Sequence, residues 1–173
     1  MKCIVLYSSR TGNTRKVAEA VCKGLPAGTL CVDMKEIPAD LTGYDLIFTG
    51  FWVDKGEANE EAKKVMASLP PVKVGVFATL GANPNSEHAA GALAKGAEAV
   101  ADGATVLGSF ICQGAVDPKL IEMMYKTFPA GSAHGKSPER DALHAEAAKH
   151  PDATDLAAAE AFAVTVLEKA KEA

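Results

Sequence analysis

Short runs of continuously apolar, β-branched residues alternate along this chain with stretches whose apolar positions recur every three or four residues. The first kind reads as strands buried on both faces, the second as amphipathic helices. Strands are predicted at Lys2–Tyr7, Thr29–Met34, Asp45–Thr49, Val72–Ala78 and Thr105–Cys112. Helices are predicted at Thr14–Lys23, Ala58–Ser68 and Ser86–Ala101, the first with Val17, Ala20 and Val21 on one face. Between the second and third strands, residues 35–44 hold Pro38 and Gly43 and leave room for one turn of helix at most. Such alternation specifies an α/β fold. Right-handed crossovers then arrange it as a doubly wound, five-stranded parallel sheet of order 2-1-3-4-5.

The rhythm changes after the fifth strand. Asp117-Pro118 opens a short helix to about Tyr125, and residues 128–136 carry no periodicity. Ser137-Pro138 then supplies a cap and a first-turn proline for a helix over residues 140–150, and Asp152 or Thr154 opens a last helix to about Lys171. Leu156, Ala159, Ala163, Val166 and Leu167 share a face of that helix, which suits it to cover the open flank of the sheet. The chain reads as one domain, 1–173, with a helical C-terminal extension from about residue 117. Within it, residues 128–151 form an insertion over the surface.

Composition supports one core: 173 residues at 48% hydrophobic content suit a domain burying about two thirds of its unfolded surface. A net charge of −4 argues against nucleic acid and anionic membranes, and permits docking to a basic partner face. No apolar run reaches membrane-spanning length, and the first residues lack the pattern of a signal peptide, so the predicted location is the cytoplasm. Cys3, Cys22, Cys31 and Cys112 fall singly in apolar segments and read as core residues. His88, His134, His144 and His150 show no metal-binding spacing.

The chemistry concentrates where the first strand meets the first helix. Ser8, Ser9, Thr11 and Thr14, with Arg10, Gly12 and Asn13 between them, place four hydroxyls at a helix start. There the backbone N–H groups and the positive end of the helix dipole converge, a setting for an anionic phosphate that needs no lysine. No G-x-x-x-x-G-K loop and no G-x-G-x-x-G loop follow the first strand, which sets aside P-loop nucleotide and dinucleotide sites. In a sheet of this order, ligands bind at the carboxyl ends of the strands, where the winding reverses. Two loops are predicted to emerge there. Thr49-Gly50-Phe51-Trp52-Val53-Asp54-Lys55-Gly56 puts the only tryptophan in a loop, and Thr79-Leu80-Gly81-Ala82-Asn83 is rich in small residues that let backbone approach a ligand.

Ser9-Arg10-Thr11-Gly12-Asn13-Thr14 resembles the phosphate loop of flavodoxins, and Tyr44 to Gly50 followed by Trp52 resembles their first flavin loop. The resemblance spans about residues 1–115. It implies that Ser9, Thr11, Gly12, Asn13 and Thr14 hold the phosphate of flavin mononucleotide (FMN), that Thr49–Gly56 and Thr79–Asn83 bracket its ring, and that Trp52 stacks on one face. Some positions depart from the family. Asn83-Pro84-Asn85 supplies no tyrosine for the outer face, and Arg10 and Lys55 add positive charge. Val53 stands where many flavodoxins place a glycine whose turned peptide offers a carbonyl to the flavin.

The function implied is an FMN-binding electron carrier working between a reductase and an acceptor enzyme, with no catalytic residue of its own. An NAD(P)H-dependent flavin or quinone reductase, or the flavin subunit of a larger reductase, is the alternative. A regulatory domain using the fold without flavin is the third reading, which the pairing of Trp52 with the threonine-rich loop disfavours.

Overall fold

A computed structural model of the protein describes residues 1–172. Strands β1 (Cys3–Tyr7), β2 (Leu30–Asp33), β3 (Leu46–Asp54), β4 (Glu57–Ala58), β5 (Lys73–Leu80) and β6 (Thr105–Gln113) alternate with helices α1 (Asn13–Lys23), α2 (Glu60–Ala67) and α3 (Glu87–Glu98). Helices α4 (Pro118–Thr127), α5 (Pro138–Ala147) and α6 (Ala153–Glu172) follow β6. Five strands form a parallel sheet in the order β2-β1-β3-β5-β6, the doubly wound arrangement expected, and a 3-10 turn at Met34–Glu36 fills the short crossover. The extra strand, β4, pairs antiparallel with the end of β3.

Alternating strand residues divide the core in two. Val5, Leu46, Phe48 and Phe77 face α1 and α6, whereas Ile4, Leu6, Ile47, Phe51, Val74 and Val76 face the side of α2. The predicted apolar face of α6 is buried, and Phe162 stacks on Phe110 and meets Phe48 edge-on at 5.8 Å. Cys3 and Cys112 lie in the core, where burial pushes the Cys112 thiol up to about 12 and leaves it inert. Among the described residues no helix is long and apolar enough to cross a membrane.

Strand β3 overturns one expectation that matters for the site. It runs five residues past the predicted end, to Asp54, with Trp52 in register with Thr79 of β5. Gly50, expected in the loop after Thr49, is inside the strand, and the ring of Phe77 lies against it, which is a reason for glycine there. Trp52 is therefore held by sheet hydrogen bonding and does not sit in a loop. The reversal comes at Lys55-Gly56, whose φ of 51° and 81° make a two-residue hairpin between the Asp54–Glu57 pair. Val53 lies in the ladder opposite Ala58, so it is not the turn residue that the family comparison made it; Gly56 takes that place. The same hairpin absorbs Ala58, and α2 starts at Glu60, two residues later than predicted.

At the start of α6, Asp152 Oδ1 accepts from Asp155 N and Asp155 Oδ2 accepts from Asp152 N, both at 2.9 Å. This reciprocal cap also holds His150, whose Nδ1 lies 2.5 Å from Asp155 Oδ2. The hydrogen bond to Asp155 raises the His150 pKa above its ordinary value. A raised folded pKa means that the stabilisation is complete below about pH 6.5 and is lost as pH climbs through the folded value. His144 titrates in the opposite sense, so a comparison isolates the pair. The stability difference between wild type and Asp155→Asn shrinks from about pH 6 to about pH 8.5, read by urea unfolding at each pH. A constant difference would assign Asp155 to capping alone.

Candidate functional site

A cavity of about 730 Å³ lies at the carboxyl ends of β1, β3, β5 and β6, within the range of small-molecule and cofactor sites. Three loops floor it, and the C-terminal extension roofs it. The β1–α1 loop turns at Gly12, whose φ of 96° is the left-handed conformation that favours glycine, and Gly12 caps α1. Ser9 Oγ accepts from Gly12 N at 3.1 Å and Arg15 N at 3.3 Å, so Ser9 shapes the loop while keeping its hydroxyl hydrogen free to donate. Asn13 Nδ2 ties the loop to Thr11 Oγ1 (3.2 Å) and to the carbonyl of Ala115 after β6 (2.9 Å). Thr14 Oγ1 is buried 2.9 Å from Thr79 Oγ1, linking the first loop to the third. The first N–H groups of α1 have no acceptor within the helix and point out of its end beside Thr11 and Thr14.

Of the residues nominated from sequence, Arg10, Thr11, Asn13, Thr14, Trp52, Val53, Asp54, Gly56, Thr79, Leu80, Gly81 and Ala82 line this cavity together. Others are placed elsewhere, each for a definite reason. Ser8 is buried and gives its one donor hydrogen to Glu61 Oε2 at 2.6 Å while accepting from Asn59 Nδ2, so no donor remains for a phosphate. Thr49, Gly50 and Phe51 are inside the sheet, Phe51 wholly buried and packed against Gly96 of α3. Asn83 folds back on its own chain, its Oδ1 accepting from Asn85 N and its carbonyl from Ser86 N, to launch α3.

Most of the rest of the lining was not among the residues nominated from sequence. Gly114 to Asp117 follow β6, and Gln113, itself buried, donates through Nε2 to the Gly81 carbonyl, holding the third loop in place. From the extension come Leu120 and Met124 of α4, Phe128, and Arg140, Leu143 and His144 of α5. Residues 128–151, expected as a surface insertion, thus supply part of the wall. The one available signal was the amphipathic spacing of Leu120, Ile121 and Met124, a helix with an apolar face and no strand left for it to cover.

Charge at the site is mixed. Arg10 lies with its guanidinium 5.5 Å from the Trp52 ring centre and 3.6 Å from Asp117 Oδ2, a partly exposed pair that contributes little stability. Burial, with the positive charge of Arg140, holds the His144 pKa below its ordinary value, so that imidazole is neutral at pH 7. Beside the mouth, a smaller hollow next to Trp52 is lined by Asp54, Glu60 and Glu61 together with Arg10 and Lys35, a mixed surface with a slight acidic excess.

A doubly wound sheet with a hydroxyl-lined helix start and an aromatic side chain at the winding reversal defines the flavodoxin class, and the flavodoxin domain model matches residues 4–164: the chain belongs to this family. It is 31% identical over 173 residues to the flavodoxin-like domain-containing protein BilS of Clostridioides difficile (strain CD3), with 98% of each chain covered. Its fold is similar to that of oxidised Flavodoxin 2 from Bacillus cereus, with a TM-score of 0.60 at 20% identity over 98% of this chain and 99% of that one. It is similar also to a flavoprotein in complex with FMN from Lactobacillus acidophilus NCFM, with a TM-score of 0.52 at 21% identity over 64% of this chain and 92% of that one.

Proposed function

We propose that this protein is an FMN-dependent electron carrier of flavodoxin type that takes electrons from a reductase and delivers them to an acceptor enzyme in the cytoplasm. The observation that carries the reading is that Thr11, Asn13 and Thr14 at the α1 start and Trp52 at the β3 end share one cavity. The donor set suits FMN. Hydroxyls and helix N–H groups suit a phosphate dianion, and the one carboxylate facing this loop, Asp117, is paired with Arg10. Trp52 offers an aromatic surface to a flat ring, and Gly81 and Gly114 line the third wall. When bound, FMN supplies the one- and two-electron chemistry; the residues bind it, orient it and limit the access of water.

Acidic groups support the partner side of the reading. Asp54, Glu60 and Glu61, outnumbering Arg10 and Lys35 in the same hollow, lie beside Trp52, and the chain as a whole is negative. Such a surface steers a basic redox partner toward the place where electrons leave. One observation favours the alternative, a reductase that accepts hydride from NAD(P)H: the roof of α4 and α5 makes a chamber beyond what a flat ring on Trp52 needs. The deciding experiment is spectroscopic. Purified protein should be yellow with one FMN per chain, and NADH or NADPH alone should leave the colour unchanged. Bleaching by either nucleotide promotes the alternative, and a protein that takes up no FMN sinks both.

Because Trp52 is the only tryptophan, its emission reports the site directly. Addition of FMN to apoprotein should quench it, and Trp52→Ala should weaken FMN binding by about 0.5–1.5 kcal/mol beyond the lost area. Unchanged emission on saturation would move the ring away from Trp52.

A further inference from the structure

The roof of the cavity carries polar groups that FMN binding, as described above, leaves unused. Among the described residues, the buried side-chain atoms without a hydrogen-bond partner are Thr49 Oγ1, Asn59 Oδ1, Arg140 Nε and both ring nitrogens of His144. Three of these five atoms belong to two residues of α5 that face one cavity, four positions apart and so on one side of the helix. Buried donors without acceptors are costly, most of all on a guanidinium. The nearby carboxylates are engaged elsewhere: Asp141 accepts from Tyr125 Oη at 2.8 Å, and Asp117 faces Arg10.

The wall beside this pair has the opposite character. Helix α4 is amphipathic, yet none of its residues is buried. Its Leu120 and Met124, with Leu143 of α5, turn toward the cavity. Amphipathic helices owe most of their stability to a covered apolar face. Here that face borders a chamber whose only charged acceptors are Asp54, on β3, and Asp117, which caps α4 and faces Arg10.

A cation and an imidazole beside an apolar wall recognise an anionic head on an apolar body. We propose that α4 and α5 form a second binding site, next to the flavin, for a small aromatic or otherwise apolar carboxylate. Arg140 and His144 hold its carboxylate, and Leu120, Met124 and Leu143 hold its body. Arg140 supplies the charge and His144 a neutral N–H donor. The site rests on the reading that FMN occupies the strand-end part of the same cavity.

Cinnamate is a suitable probe and its neutral amide the control. Calorimetric titration of the FMN-loaded protein should give saturable binding of one cinnamate per chain, with the amide at least tenfold weaker. Arg140→Gln and His144→Gln should each weaken cinnamate at least fivefold and leave FMN affinity within twofold of wild type, which also shows that the variants are folded. Three results would overturn the proposal: no saturation by about 5 mM cinnamate, equal binding of the amide, or a parallel loss of FMN affinity in the variants, which would make Arg140 and His144 flavin ligands. Failure of the FMN reading is separate, since it appears as absence of FMN uptake by wild-type apoprotein before any cinnamate is added.

Discussion

Apoprotein carrying both Thr11→Ala and Thr14→Ala is expected to bind FMN at least tenfold more weakly than wild type. The Thr11 hydroxyl keeps its hydrogen for a charged phosphate oxygen, and the Thr14 hydroxyl does so when Thr79 supplies the hydrogen between them; such bonds contribute roughly 1.5–3 kcal/mol. The two positions separate affinity from stability. Thr11 is exposed and its Oγ1 has only Asn13 Nδ2 as partner, so Thr11→Ala alone lowers affinity and leaves unfolding unchanged. Thr14 is buried against Thr79, and Thr14→Ala strands the Thr79 hydroxyl at a further cost of about 1–3 kcal/mol to the apoprotein. Fluorescence titration with FMN and urea unfolding of the apoprotein measure the two effects. Unaltered affinity in the double variant would remove the β1–α1 loop from the phosphate site.

How far this site could be read from sequence depends on the range of the interactions. The turn from β1 into α1 was legible because its signal is local: hydroxyls, a glycine and a helix start within Ser8–Thr14 set their own geometry. Even there the engagement of Ser8 was not legible, since its partners Glu61 and Asn59 lie more than fifty positions away. The sheet order was legible because continuous apolar runs and right-handed crossovers leave few alternatives. The length of β3 was not. Gly50 looks like punctuation in a sequence, and only the Phe77 ring across the ladder makes it a strand residue. The wall contributed by α4 and α5 was hidden for a related reason: periodicity identifies an apolar face but not what the face will meet. The helices themselves were found, with the Ser137 cap oxygen accepting from Arg140 N as the Ser-Pro spacing predicts.

The placement of Gly50 leads to an expected result as large as the loss of the phosphate hydroxyls. A Cβ at this position would lie 2.1 Å from two ring carbons of Phe77, far inside the 3.5–4.0 Å at which carbon atoms rest. Phe77 has no room to yield, being fully buried in the core cluster that holds Phe48, Val5 and Leu46, and Gly50 is fixed between Tyr7 and Phe77 by ladders on both sides. Gly50→Ala should therefore cost at the upper end of the overpacking range, about 3 kcal/mol, and lower the melting temperature by roughly 6–12 °C. The molecules that remain folded should bind FMN with wild-type affinity, because Gly50 does not line the cavity. Pairing Gly50→Ala with Phe77→Leu should recover part of the loss relative to the sum of the single changes, as expected of side chains in direct contact. A Gly50→Ala protein of normal stability that fails to hold FMN would return Gly50 to the flavin site, and with it the shorter third strand that the sequence suggests.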